Sequence, residues 1–412
     1  MRPALKFAGT PTMMTRSVFQ RLVTLASVAA IVVMSPTVCA ARMWEATQRS
    51  SKTTPDHYLL LVNTAVAFMM NEAKFRQFDQ SPYDGLAVAF LHAYDTSAVP
   101  TVASMDSQMK EWKRYTRKDI WPWVYINRML GMSADEKNSH SDVPYFRAIS
   151  GIDLDDSLGA QADFLRIWRN SLAAARDSNM PGIVCDLEFY NYYREYDIGE
   201  LAHKTSRTPR EAAEGLKMIG VRMADVAAQE YPGATLWFLF TGFTHAGYKT
   251  YDNVGYYPSP TYIAMGLLDE IALKRMHLKV LTGGEASLAY CHDTLEDFRS
   301  AITKRDSDLK LTLEKYKGVL EMAGTMTLWS DRAANQVCKT ASAGSVEELQ
   351  PYLELLFRSY RYNWIWGSAD GNYLAFAPES APRFDAVIRH AQAEVREDAH
   401  EKSTELLKED RK

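Results

Sequence analysis

The sequence predicts an α/β chain closed into a (β/α)8 TIM barrel, and three observations carry that prediction. Eight strand-length apolar runs alternate with stretches of helical spacing. No Gly-rich phosphate loop follows the first run, where an open doubly wound sheet would usually carry one. The fourth run, Pro181-Gly-Ile-Val-Cys-Asp-Leu-Glu-Phe-Tyr190, ends in two carboxylates, Asp186 and Glu188. Strand side chains alternate between faces, so Gly182, Val184, Asp186 and Glu188 share one face, and the apolar Ile183, Cys185 and Leu187 share the other. A barrel strand needs that arrangement: its back packs on helices and its C-terminal end opens into a site.

The elements follow in order. The strand runs are Tyr58–Asn63, Tyr83–Phe90, Ile120–Asn127, 182–188, Ala234–Phe240, Leu278–Thr282, Thr325–Asp331 and Tyr362–Gly367. Helical spacing marks 104–118 and 155–178. Thr208-Pro-Arg-Glu211 carries a Thr cap, Pro at the first helical position and Glu placed for a capping box, and opens a helix to about Glu230. Further helices are expected over Thr261–Arg275, from the cap-like Asp293-Thr-Leu-Glu296 to about Ala323, from Ser345 to about Tyr360, and from about Ala381, with a frayed tail after about Glu397. The longest insertions, about 128–154, 189–207 and 241–260, all follow strands and would lie on the catalytic face.

The chain has 412 residues, 47% hydrophobic and 24% charged, enough for a large core. Arg16 and Arg21 precede an apolar run from Leu22 to Met34, and Val38-Cys39-Ala40 suits signal peptidase, so residues 1–40 read as a signal peptide and 41–412 as one barrel domain with a C-terminal helix. The run is short for a membrane span, and Pro36-Thr37 before Cys39 does not form a lipoprotein box; a secreted or periplasmic protein without a membrane anchor is expected. Cleavage would remove Arg2, Lys6, Arg16 and Arg21 but no acid, taking the net charge from −4 to −8, which argues against nucleic acid as a partner. Cys185, Cys291 and Cys338 would remain; Cys291–Cys338 is the better disulfide pair and Cys185 reads as a buried thiol. No CxxC or HExxH pattern points to zinc, and no metal or cofactor is expected. Oligomeric state is open.

The strand ends gather Asn127 and Arg128, then Asp186 and Glu188, then Thr241 and His245. Later ends add Glu285, Tyr290, His292 and Asp293, then Asp331 and Arg332, then Trp366 and Asp370. Acids and aromatics without a metal motif suit glycosidic bond cleavage, which needs a protonated carboxyl and a second group facing an oxocarbenium-like centre. Gly182-Ile-Val-Cys-Asp-Leu-Glu-Phe189 resembles the fourth-strand motif of chitinase-like glycoside hydrolases, an apolar strand followed by Asp-x-Asp-x-Glu-Tyr/Phe. It departs at Val184, where the pattern has its first Asp. The resemblance implies Glu188 as the acid that protonates the leaving oxygen and Asp186 as the group that orients a substrate N-acetyl. Tyr290 and a Trp on the eighth strand, Trp364 or Trp366, fit the same pattern.

Glu285 or Asp331 would instead serve as nucleophile or base in a two-carboxylate arrangement. Glu285 follows the flexible pair Gly283-Gly284, and Asp331 shares a strand face with Thr325, Thr327 and Trp329. Trp329 and Trp366 are the stacking candidates, Trp121 and Trp123 read as barrel filling, and Tyr192, Tyr193 and Tyr196 follow Glu188 in a loop where aromatics would line a groove. The bland readings are an ion pair of Asp186 or Glu188 with Arg128 or Arg332, a helix cap at Asp293 and packing roles for His245 and His292. The rival functions are a non-catalytic carbohydrate-binding barrel and a barrel hydrolase or lyase with a histidine base.

Overall fold

The computed structural model describes residues 57–91, 98–126, 154–155, 159–189, 196–243, 249–289, 292, 294–327, 346–369, 372–373, 376 and 381–409. Met1–Thr54 and Pro55–Lys412 separate as two units, and the described residues lie in the second. The signal-peptide reading and the Cys291–Cys338 pair lie outside the described residues. No helix of the described residues is long and apolar enough to cross a membrane.

The barrel strands are β1 (Tyr58–Val66), β2 (Gly85–Ala89), β3 (Asp119–Tyr125), β4 (Gly182–Asp186), β5 (Thr235–Phe238), β8 (Lys279–Thr282), β9 (Leu320–Thr327) and β10 (Tyr362–Trp366). The short pairs β6 (Lys249–Tyr251) with β7 (Val254–Tyr256), and β11 (Ser368–Ala369) with β12 (Asn372–Tyr373), stand outside it. The barrel closes in the order β1-β10-β9-β8-β5-β4-β3-β2 with every barrel pair parallel, so all C-terminal ends open on one face. The helices are α1 (Glu72–Gln80), α2 (Val102–Trp112), α3 (Ala160–Asp177), α4 (Ile198–Lys204), α5 (Pro209–Glu230), α6 (Ser259–Lys274), α7 (Leu295–Lys315), α8 (Gln350–Ser359) and α9 (Ala381–Glu409). The expected α/β barrel is the observed one.

Two apolar layers follow from strand alternation. Ile183, Cys185 and Leu187 lie in the layer between barrel and helices, while Val184, Trp121, Trp123, Trp237 and Trp364 fill the barrel interior. Trp121 and Trp123 are thus the interior filling that the sequence suggested. Their bulk is accommodated by Gly85, where a Cβ would stand 2.4 Å from the Tyr58 hydroxyl and 2.8 Å from Trp121 Nε1. The capping box of Thr208 and Glu211 forms as expected at the start of α5.

Three expectations need correction. The helix expected to reach Ala323 ends at Lys315; a turn through Gly318, at φ +85°, follows it, and β9 begins at Leu320, five residues early. Leu320 and Met322 alternate with Glu321 and Ala323, which is strand spacing hidden behind a polar helix end. The cap of α7 is Thr294, whose side chain and Asp297 complete a capping box, and not Asp293. The C-terminal helix does not stop near Glu397 but runs to Glu409.

Candidate active site

β4 delivers the first two acids as its alternation requires. Asp186 is its last residue, pairs in register with Tyr125 and is 1% exposed. Its Oδ1 accepts the Glu188 backbone N–H at 2.8 Å, a local turn that ends the strand and swings Glu188 to a half-buried position. Cys185 faces the other way, and burial pushes its thiol well above the ordinary range, as befits an inert core residue.

The third acid arrives from β8, which neighbours β5 and so stands one strand away from β4. After Thr282 the chain turns through Gly283 and Gly284, the latter at φ +77°, into a short π-helical segment, Glu285–Ala289. Bonds that hold this turn include Gly283 N–H to Phe238 O at 2.6 Å, Glu285 N–H to Leu239 O at 3.2 Å, and Trp364 Nε1–H to Gly283 O at 3.0 Å. The glycine pair therefore serves a fixed turn rather than the flexible one its composition suggested. Glu285 is buried, and one carboxylate oxygen each from Asp186, Glu188 and Glu285 lies within 4.8 Å of the other two.

One oxygen from each of three carboxylates at this spacing makes a set that could hold a cation. The donors are hard oxygens, the type that holds Mg2+, Ca2+ or Mn2+ rather than zinc. Beside the cluster, the Tyr196 hydroxyl accepts the Phe189 N–H at 3.0 Å, and the Tyr196 ring packs between Phe189 and Phe240. Burial, then the charges of Glu188, Asp186 and Glu285, push the Tyr196 phenol well above its ordinary range, so it stays a neutral donor. Asp197, next in the chain, caps α4 through Gly199 N–H and binds Lys249 and Tyr251 of the β6–β7 pair. That pair thereby holds Asp197, the neighbour of Tyr196.

An aromatic wall leads from the cluster. Trp123 stacks on Tyr125 at 4.5 Å, and Trp366, half-buried at the end of β10, meets Trp123 edge-on at 6.0 Å. Of the residues singled out from the sequence, Asp186, Glu188 and Glu285 come together and Trp366 lies at the same barrel mouth. His292 packs against the Phe298 ring at 5.2 Å and is not part of the carboxylate group. Asn127, Tyr192, Tyr290, Trp329 and Asp331 lie outside the described residues, as do Arg128, His245, Asp293 and Arg332.

Sequence reasoning passed over Arg305. This α7 residue is 1% exposed and donates to Thr282 O at 2.7 Å and Ala323 O at 2.9 Å. The signal was present: Phe298, Ile302, Arg305 and Leu309 share one helical stripe and all four are buried.

No family model matches the chain, and no curated protein matches it. Among solved structures, the chain is similar to endoglycoceramidase II from Rhodococcus sp., with a TM-score of 0.46, 10% identity and coverage of 80% of each chain. It is similar to a GH18 chitinase from Flavobacterium johnsoniae, with a TM-score of 0.39, 10% identity, and coverage of 81% of this chain and 93% of that one. It is similar also to 3-keto-D-glucoside 4-epimerase from E. coli, with a TM-score of 0.42, 11% identity, and coverage of 82% of this chain and 99% of that one. Likenesses so distant, to proteins named for different reactions, carry no argument about chemistry.

Proposed function

We propose that the protein is a secreted or periplasmic glycoside hydrolase acting on a polysaccharide or complex glycan, with Glu188 as general acid. The observation that carries this reading is the meeting of Asp186, Glu188 and Glu285 at the barrel mouth with oxygens within 4.8 Å. Glu188, the least buried of the three, is placed to deliver a proton to a leaving oxygen. Asp186, bonded to the Glu188 backbone, orients that acid.

Glu285 then faces the anomeric carbon as nucleophile. Retaining enzymes hold their two carboxyl groups about 5–5.5 Å apart, and inverting ones about 6.5–9.5 Å. With one oxygen of each acid within 4.8 Å of the others, we adopt the shorter, retaining arrangement. In the first step the C–O bond breaks as Glu188 protonates the departing oxygen and Glu285 forms a glycosyl ester. In the second, Glu188 takes a proton from water, which attacks the anomeric carbon and releases Glu285. Trp366 offers a face for a sugar ring.

The test is reducing-sugar release from a polysaccharide panel by the protein and by its Glu188→Gln variant. Release by the parent and none by the folded variant supports the assignment; equal release removes Glu188 from the mechanism. The same three oxygens favour one other reading, metal-assisted chemistry. Loss of activity on chelation, restored by Mg2+ or Mn2+, would move the conclusion there. Sugar binding without turnover by the parent would favour the non-catalytic carbohydrate-binding barrel.

A further inference from the structure

We propose that Arg305 is a positioning residue for Glu285, wedging open the ends of β8 and β9 and holding a positive charge behind the carboxylate cluster. The inference rests on reading that cluster as the acid site.

The geometry begins with the strand ladder. β8 pairs with β9 only as far as Thr282 and Met322, whereas β9 continues with β10 to Thr327. The Arg305 guanidinium enters where β8 leaves the sheet, with Nη2 donating to Thr282 O and Nη1 to Ala323 O. A fork of fixed geometry thus satisfies two carbonyls, one on each strand. The next residues of the departing chain are Gly283, Gly284 and Glu285. A Cβ at Gly284 would stand 2.5 Å from the guanidinium carbon, so this glycine is required by Arg305 as well as by its positive φ. Among the described residues that hold the Thr282–Glu285 turn, Arg305 is a charged one.

The second argument is electrostatic. A guanidinium buried without a counter-charge is costly. Among the described residues Arg305 makes no ion pair; the Tyr360 side chain lies beside it, with the guanidinium carbon 5.1 Å from the ring centroid. It does share the walls of a small cavity with Thr241, Gly284 and Glu285. Arg305 thus places a fixed positive charge beside the turn that carries Glu285.

A double-mutant cycle on the full chain tests this without any substrate. Thermal midpoints are measured for the parent, Arg305→Met, Glu285→Gln and the double variant. Coupling predicts that Arg305→Met lowers the midpoint by several degrees in the parent and by clearly less in the Glu285→Gln background. Additive shifts would overturn the electrostatic part of the proposal. If Arg305→Met does not fold, Arg305→Gln takes its place: it also removes the charge, keeps a donor near the two carbonyls and so completes the cycle. Where sugar release is measurable, Arg305→Lys should lower kcat about 10–100-fold with KM little changed, because the turn that aims Glu285 is displaced. A lower midpoint with an unchanged kcat would make Arg305 a structural prop only. Failure of the glycosidase reading leaves the cycle intact, so the two outcomes are separable.

Discussion

The two ends of the barrel treat their acids differently. At the N-terminal end, Asp119 accepts from the Tyr58 hydroxyl at 3.0 Å, and that hydroxyl accepts from Trp121 Nε1 at 2.8 Å. Asp84 takes the Leu59 N–H, Asp79 takes Thr116 and the Arg117 N–H, and Glu321 pairs with Lys279. At the C-terminal end, Asp186, Glu188 and Glu285 are gathered against one another. At the first end each acid has a protein donor or cation as partner, although burial and the neighbouring Asp119 still push the Asp84 carboxyl up. The other brings three acids from two strands to one place, with one oxygen of each within 4.8 Å of the others. Parallel strands impose this division, because βα loops collect at one face only.

The sharpest test of that contrast is Glu188→Gln, which should lower turnover about 10²–10⁴-fold while leaving the thermal midpoint unchanged or raised. A comparable loss of midpoint would place Glu188 among the stabilising acids instead. Tyr58→Phe is the mirror experiment. It strands Trp121 Nε1 and removes a donor from Asp119, so unfolding in denaturant should show a loss of about 1–3 kcal/mol, with kcat unaffected. Trp366→Ala should raise KM about tenfold, equivalent to about 1.4 kcal/mol, with a smaller effect on kcat; an unchanged KM would remove this ring from the substrate's path.

The smallest expected effect concerns Asp385 on α9. Burial raises its carboxyl to about 6, against the opposing pull of Arg389 and Lys118. Burial likewise lowers Lys118 to about 8, while Asp79 and Asp84 pull it back up. Between pH 3.8 and about 6 the folded protein keeps a proton on Asp385 that the unfolded chain has released. This group therefore weakens the fold as pH rises through that window, and by a constant amount above it. Asp385→Asn should have the same midpoint as the parent near pH 4 and exceed it by a few degrees at pH 7. A gap independent of pH would show that the carboxyl does not titrate in this way.

Local spacing made much of this legible. The period of two along β4 placed Asp186 and Glu188 on the site face and Cys185 on the helix face, and Thr208 with Glu211 marked the start of α5. The seventh strand was harder, because Leu320–Ala323 continues a polar helix without a break in composition, and only the turn at Gly318 separates them. The β6–β7 pair was missed because three-residue strands are too short to show a period.

The amino-acid sequence by itself determined the alternation of strands and helices, and with it which end of each strand carries acids, since both depend on neighbours a few residues away. Only the tertiary structure decided that Glu285, ninety-nine positions from Asp186, joins it. That depends on β8 closing against β5, which stands beside β4. The burial of Arg305 was decided in the same way. A helical arginine is ordinarily solvated, and its position beneath the Glu285 turn exists only once α7 packs over the gap between β8 and β9.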